Sequence, residues 1–161
     1  MIGPVRYIIR KIAYWRKHAR RKGEGAIPLS KVKSATVLVD MSRADAALAA
    51  KVVEKYFSDK KIKVNVICPE KKDISYAGYF KKHIRGDKKN PRKEDLYISL
   101  NPDDADYAVW YDAVCSPARS KIGCSSKDKN VFDIYIDIPQ DRKYNQVELF
   151  SAMANCLERL V

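Results

Sequence analysis

The residues most able to do chemistry in this chain are carboxylates. Asp40 closes a short β-branched run, and Asn101, Asp103 and Asp104 follow another, so in an open parallel sheet they would converge at one crevice. Clustered carboxylates of that kind can hold Mg²⁺ for phosphoester cleavage, which makes Asp40, Asp103 and Asp104 the candidate metal ligands. A plainer reading competes: Asp40 as a strand-end cap, and Asp103 and Asp104 as acids that start a helix. Cys115 opens a second possibility, a phosphatase-type loop in which a thiolate and an Arg six residues later grip phosphate. Lys121 stands at that position and Pro117 removes a backbone donor, so Cys115 reads as packing at a helix end. His18 and His83 have no readable Ser or Cys partner for a hydrolytic triad, and read as solvated members of basic patches. Residues 40–45 contain no glycine to let a backbone approach a pyrophosphate, which disfavours FMN or NAD, and no cofactor is expected.

Charge is the other chemical signal. Residues 1–33 hold ten Lys/Arg against one acid, Glu24, and so carry +9 of the formal +12. Clustered cations raise the local potential and favour counterion release at phosphates. Residues 5–22 also have a helical period, with Val5, Ile8, Ile9, Ile12, Trp15 and Ala19 on one stripe and Arg6, Arg10, Lys17 and Arg21 opposite. Tyr7 and Tyr14 lie beside the cations, and aromatic residues among arginines suit stacking on unpaired bases. Arg6, Arg10, Tyr14, Lys17, Arg20 and Arg21 are therefore the candidate nucleic-acid-binding residues, with RNA the expected partner. An anionic membrane surface is the alternative, because the same pattern suits an interfacial helix. The plain reading is that Val5, Ile8, Ile9, Ile12 and Trp15 dock on the protein's own sheet.

These groups need a scaffold, and the rest of the chain reads as one. Glycines at 23 and 25 stop the helix and Pro28 prevents its resumption, so residues 1–33 form a basic helix and linker and residues 34–161 a single α/β domain. Residues 36–40 read as a buried strand, followed by a helix to Phe57 with a capping-box variant at Ser42 and Asp45. Residues 63–68 make a second strand, and the unit predicts a parallel pair with a right-handed crossover. A basic, irregular stretch with a short helix near residues 79–85 leads to a third strand at 95–100 and a helix ending near Cys115. Residues 119–124 and 132–138 complete five strands, and the short polar link between these last two predicts an antiparallel or non-adjacent pair. Asn145 with Glu148 caps a final helix that docks on the sheet. The expected fold is a three-layer α/β sandwich with a five-stranded, mostly parallel sheet, flavodoxin-like or Rossmann-like, behind the basic helix.

Four cysteines, Cys68, Cys115, Cys124 and Cys156, form no Cys-x-x-Cys pair, and with two histidines make no zinc pattern. Reduced, structural thiols in a cytoplasmic protein are expected. Arg10, Lys11, Arg16 and Lys17 break every apolar run near the N-terminus, so neither a signal peptide nor a transmembrane helix is read there.

Several stretches taken together resemble a family of small uncharacterised proteins from Bacteroidetes-type bacteria: Lys71-Lys72-Asp73-Ile74-Ser75-Tyr76-Ala77-Gly78, Asp95-Leu96-Tyr97-Ile98-Ser99-Leu100, Ser116-Pro117-Ala118-Arg119-Ser120-Lys121-Ile122-Gly123 and Phe132-Asp133-Ile134-Tyr135-Ile136. The likeness covers most of residues 35–160. It implies a Rossmann-like α/β domain behind a basic segment and carries over no catalytic residue. The first strand also resembles the opening of NYN and PIN nucleases, but departs from it at Arg43, and departs from the haloacid-dehalogenase pattern at Ser42. Function is accordingly read as a non-enzymatic, RNA-associated accessory protein, with a divergent metal-dependent nuclease or phosphoesterase and a peripheral membrane adaptor as alternatives; oligomeric state is not legible.

Overall fold

The computed structural model describes residues 3, 5, 8–10, 25–86, 89–101, 107–124, 131–138 and 144–160. Five strands form one sheet: β1 (Ser34–Leu38), β2 (Lys63–Ile67), β3 (Leu96–Ser99), β4 (Ser120–Cys124) and β5 (Ile134–Ile136). Every pairing is parallel and the order is β2-β1-β3-β4-β5, the flavodoxin-like sequence with its switch point between β1 and β3. Helices α1 (Ala46–Asp59), α2 (Lys82–Arg85), α3 (Tyr107–Cys115) and α4 (Gln146–Glu158) connect or follow the strands.

Strand alternation divides the core into two faces. Ala35, Val37, Leu96, Ile98 and Ile122 point to one face, where Val53 and Phe57 of α1 meet Leu149, Phe150, Met153 and Leu157 of α4. Tyr97 and Leu38 point to the other, under α3 and the segment that follows β2. Burial on both faces is why β1 and β3 read as continuous apolar runs. The segment expected to be a linker contributes Ile27 and Val32 to the first face, both 5% exposed.

Three expectations change. β4 and β5 are adjacent and parallel, not antiparallel, with Ile122 opposite Ile134. Val131 and Phe132 are buried just before β5, and the Phe132 ring occupies the space a Cβ on Gly123 would need. β5 is also shorter than residues 132–138, since the Asp133 carboxylate instead accepts the Lys121 N–H at 2.8 Å. Finally, Ser42 and Asp45 make no capping box, because α1 starts later, at Ala46, and Asp45 makes no side-chain cap bond. At α4 the expected cap is present, the Glu148 N–H donating to Asn145 Oδ1 at 2.8 Å.

Candidate functional site

Of the six arm residues expected to bind nucleic acid, Arg10 falls among the described residues; Arg6, Tyr14, Lys17, Arg20 and Arg21 lie outside them. Arg10 is turned onto the body. Its Nε–H donates to the Ala77 carbonyl at 2.6 Å, and its guanidinium sits 4.2 Å from the centre of the Tyr107 ring. The Tyr107 hydroxyl donates back to the Arg10 carbonyl at 3.3 Å. Burial, against the pull of Arg10, pushes the Tyr107 phenol up to about 12.

Local sequence explains this socket. Ile74 and Phe80 bridge antiparallel, and the Gly78 N–H donates to Ser75 O at 2.9 Å, closing a tight turn. Gly78 has φ +92°, a conformation that side chains rarely adopt, and a Cβ there would overlap the Arg10 guanidinium. Both facts require glycine. With Arg10 held inward, Val5 and Ile8 are 63% and 55% exposed and Ile9 is 37% exposed, all three with helical backbone. Of the arm's cations Arg10 is thus spent on the domain, while Val5, Ile8 and Ile9 of the apolar stripe point to solvent; Ile12, Trp15 and Ala19 lie outside the described residues.

The socket walls also border a crevice of about 450 Å³ at the switch point, lined by Asp40, Ser42, Lys71, Phe80, Asn101 and Val109 among others. Asp40 is there, yet its oxygens are engaged. Oδ1 accepts from the Ser42 N–H at 3.0 Å and from the Ser42 hydroxyl at 2.6 Å, while Oδ2 lies 3.6 Å from Arg43 Nε. Arg43 in turn donates to the Tyr144 carbonyl and hydroxyl, both at 3.1 Å. Buried Gln146 joins this loop to α4: its Oε1 accepts the Asp40 N–H at 2.8 Å, and its Nε2 donates to the Asp40 carbonyl at 2.9 Å. Asp40 therefore ties together the loop after β1 through these bonds. Asp103 and Asp104, its expected metal-binding partners, lie outside the described residues. Among the described residues no group of three or more His, Cys, Asp or Glu is placed to hold a metal ion.

The other charged cluster sits at the amino end of the sheet, away from the crevice. Arg92 donates to Glu94 at 2.6 Å and to Asp112 at 2.7 Å, and the Tyr97 hydroxyl donates to Asp112 at 2.8 Å. Burial raises the Asp112 carboxyl despite the opposing pull of Arg92 and Tyr97. Burial also works against the Arg92 charge, but Asp112 and Glu94 prevail and hold it above its ordinary value. Satisfied on every side, this cluster fixes the β3 and α3 ends. Lys121, 1% exposed, donates from Nζ to the Ala113 carbonyl at 2.6 Å and so caps the carbonyl end of α3.

Cys115 ends α3. A phosphate loop would place the thiolate at a helix amino end, whereas the negative end of the α3 dipole disfavours a thiolate here. All four cysteines are free, as expected, and burial followed by Glu54 pushes the Cys68 thiol up. His83 is not merely solvated: its Nε2 lies 2.9 Å from Asp73, although the ring stays 60% exposed.

Sequence reasoning missed the partners of Arg10. Ala77 and Tyr107 carry no signal of their own, while the isolated Gly78 in a polar stretch was the one visible sign of a close approach. No curated protein matches the chain. A family match runs from Arg6 in the arm to Ser151 in α4, through both the Arg10 socket and the crevice, and on that evidence the chain belongs to the family of unknown function DUF6913.

Proposed function

We propose that the protein is a non-enzymatic peripheral adaptor that attaches to anionic membrane surfaces through its N-terminal arm. The observation that carries this reading is the orientation of the arm: Arg10 is spent on Ala77 and Tyr107, and Val5, Ile8 and Ile9 face solvent. An RNA-binding helix presents its cations outward and gains little from exposed aliphatic side chains. A helix lying in a bilayer interface needs the reverse, an apolar stripe toward the acyl chains with cations at headgroup level. Besides Arg10, residues 1–33 carry nine Lys/Arg, each worth about 1 kcal/mol near an anionic leaflet. Among the described residues no helix is long and apolar enough to cross a membrane.

The test is co-sedimentation of the full chain with phosphatidylglycerol-rich vesicles, with phosphatidylcholine vesicles, and filter binding to single-stranded RNA, all at one salt concentration. Binding to the anionic vesicles alone is the expected result. Retention of RNA without vesicle binding would replace this reading with the RNA-associated one, in which the same cations neutralise phosphates.

A further inference from the structure

Arg10 touches two elements that the sequence sets far apart. Ala77 sits in the turn between Ile74 and Phe80, whose ends pair in an isolated antiparallel bridge, and Tyr107 is the first residue of α3. Both elements are also walls of the crevice. Ile74 and Phe80 face it from the turn and Val109 from α3, while the rest of its lining follows the ends of β1, β2 and β3. Arg10 therefore ties together two walls of one cavity.

The other contacts between those walls are of a different kind. Ile74 and Phe80 share an apolar cluster with Ala108 and Val109, and the Tyr79 ring lies 5.1 Å from that of Tyr111. Apolar contacts are non-directional, whereas the Arg10 bond to the Ala77 carbonyl and the guanidinium on the Tyr107 ring set a distance. The turn also bears a cost in the position seen. Ser75 Oγ is buried and has no hydrogen-bond partner among the described residues. A buried hydroxyl in that state forfeits the bonds it makes to water, and opening the turn restores them.

We propose that the turn between Ile74 and Phe80 is a gate on the crevice and that Arg10 is the strap that holds it shut. The position seen stays the favoured one with or without the strap; what Arg10 sets is how often the turn opens away from α3. By linkage, whatever draws the arm off the body loosens the crevice, and whatever fills the crevice between Phe80 and Val109 at its present width holds the arm down. The device goes beyond the membrane reading and works whatever surface Val5, Ile8 and Ile9 meet.

The experiment uses the full chain without vesicles. In Arg10→Ala, amide exchange at Ser75, Gly78 and Lys81, whose N–H groups bond the Tyr79, Ser75 and Asp73 carbonyls, should accelerate about tenfold. Val39 and Leu100, bonded within the sheet, should keep their wild-type rates. Val109→Cys places a thiol behind the turn, and its alkylation by iodoacetamide, located by mass spectrometry, should be about tenfold faster when combined with Arg10→Ala. Ser75→Ala removes the orphaned hydroxyl and should act in the opposite direction, slowing tryptic cleavage of the 10–11 bond about fivefold. Unchanged exchange and alkylation in Arg10→Ala would overturn the strap, and so would equal acceleration at Val39 and Leu100, which reports loss of global stability. An unchanged cleavage rate in Ser75→Ala would overturn the coupling of the turn to the arm.

Discussion

Gly78→Ala should release the arm while leaving the domain folded. The new Cβ meets the far end of a flexible side chain, so the Arg10 head gives way and the backbone of the turn stays in place. Releasing it forfeits the Arg10 bond to Ala77 and the guanidinium contact with Tyr107, together about 1.5–2 kcal/mol at a half-exposed site. That amounts to a roughly ten- to thirtyfold rise in the undocked population. Global stability should fall by only about 1–2 kcal/mol, the cost of a Cβ at positive φ. Brief trypsin digestion followed by mass spectrometry reads the docked fraction, because the protease must take the Arg10 side chain into its own pocket to cut the 10–11 bond. Cleavage there should accelerate about tenfold or more in Gly78→Ala, and similarly in Tyr107→Leu. An unchanged rate in both variants would refute the socket.

Arg92→Leu should destabilise the fold by about 3–5 kcal/mol in urea titration, because Glu94 and Asp112 are left buried without their cation, and the loss should shrink as pH falls and they protonate. The Asp73 carboxyl is held below its ordinary value by the Glu70 N–H and then by His83. Its contribution is therefore complete above the unfolded pKa of about 3.9 and fades as pH drops through the lower folded value, so wild type and Asp73→Asn should converge in stability only in acid. Thiol titration should find four free cysteines after denaturation, with buried Cys124 slow in the native protein; a disulfide would contradict the packing role given to them. Robust Mg²⁺-dependent cleavage of RNA, DNA or a phosphoester, abolished by Asp40→Asn, would contradict the reading of Asp40 as a loop-shaping residue.

Much of the scaffold was legible because its signals are local. The apolar runs of β1 and β3 announce burial on both faces, and the Asn145–Glu148 cap announces the start of α4. Parallel β4–β5 pairing was not legible, since it depends on a stagger between Ile122 and Ile134 and on Phe132 lying over Gly123, neither of which a short polar link reveals. For the arm, periodicity gave two faces but not which one meets the domain. That choice lies in a guanidinium finding Ala77 and Tyr107, 67 and 97 positions away in sequence. The resemblance seen in the sequence pointed to an uncharacterised family, and the family match agrees at that level.

The most direct measurement is the partition of Ile8→Asp, beside wild type, into phosphatidylglycerol-rich vesicles. Ile8 is 55% exposed, so entering the interface removes roughly 100 Å² of apolar surface from water, about 2.5 kcal/mol at 25 cal/mol per Å². A carboxylate in its place adds about 1 kcal/mol of repulsion from the anionic leaflet. Partition should fall about a hundredfold or more while the urea midpoint stays unchanged. Equal partitioning by Ile8→Asp and wild type would contradict an arm that meets the bilayer with its apolar stripe.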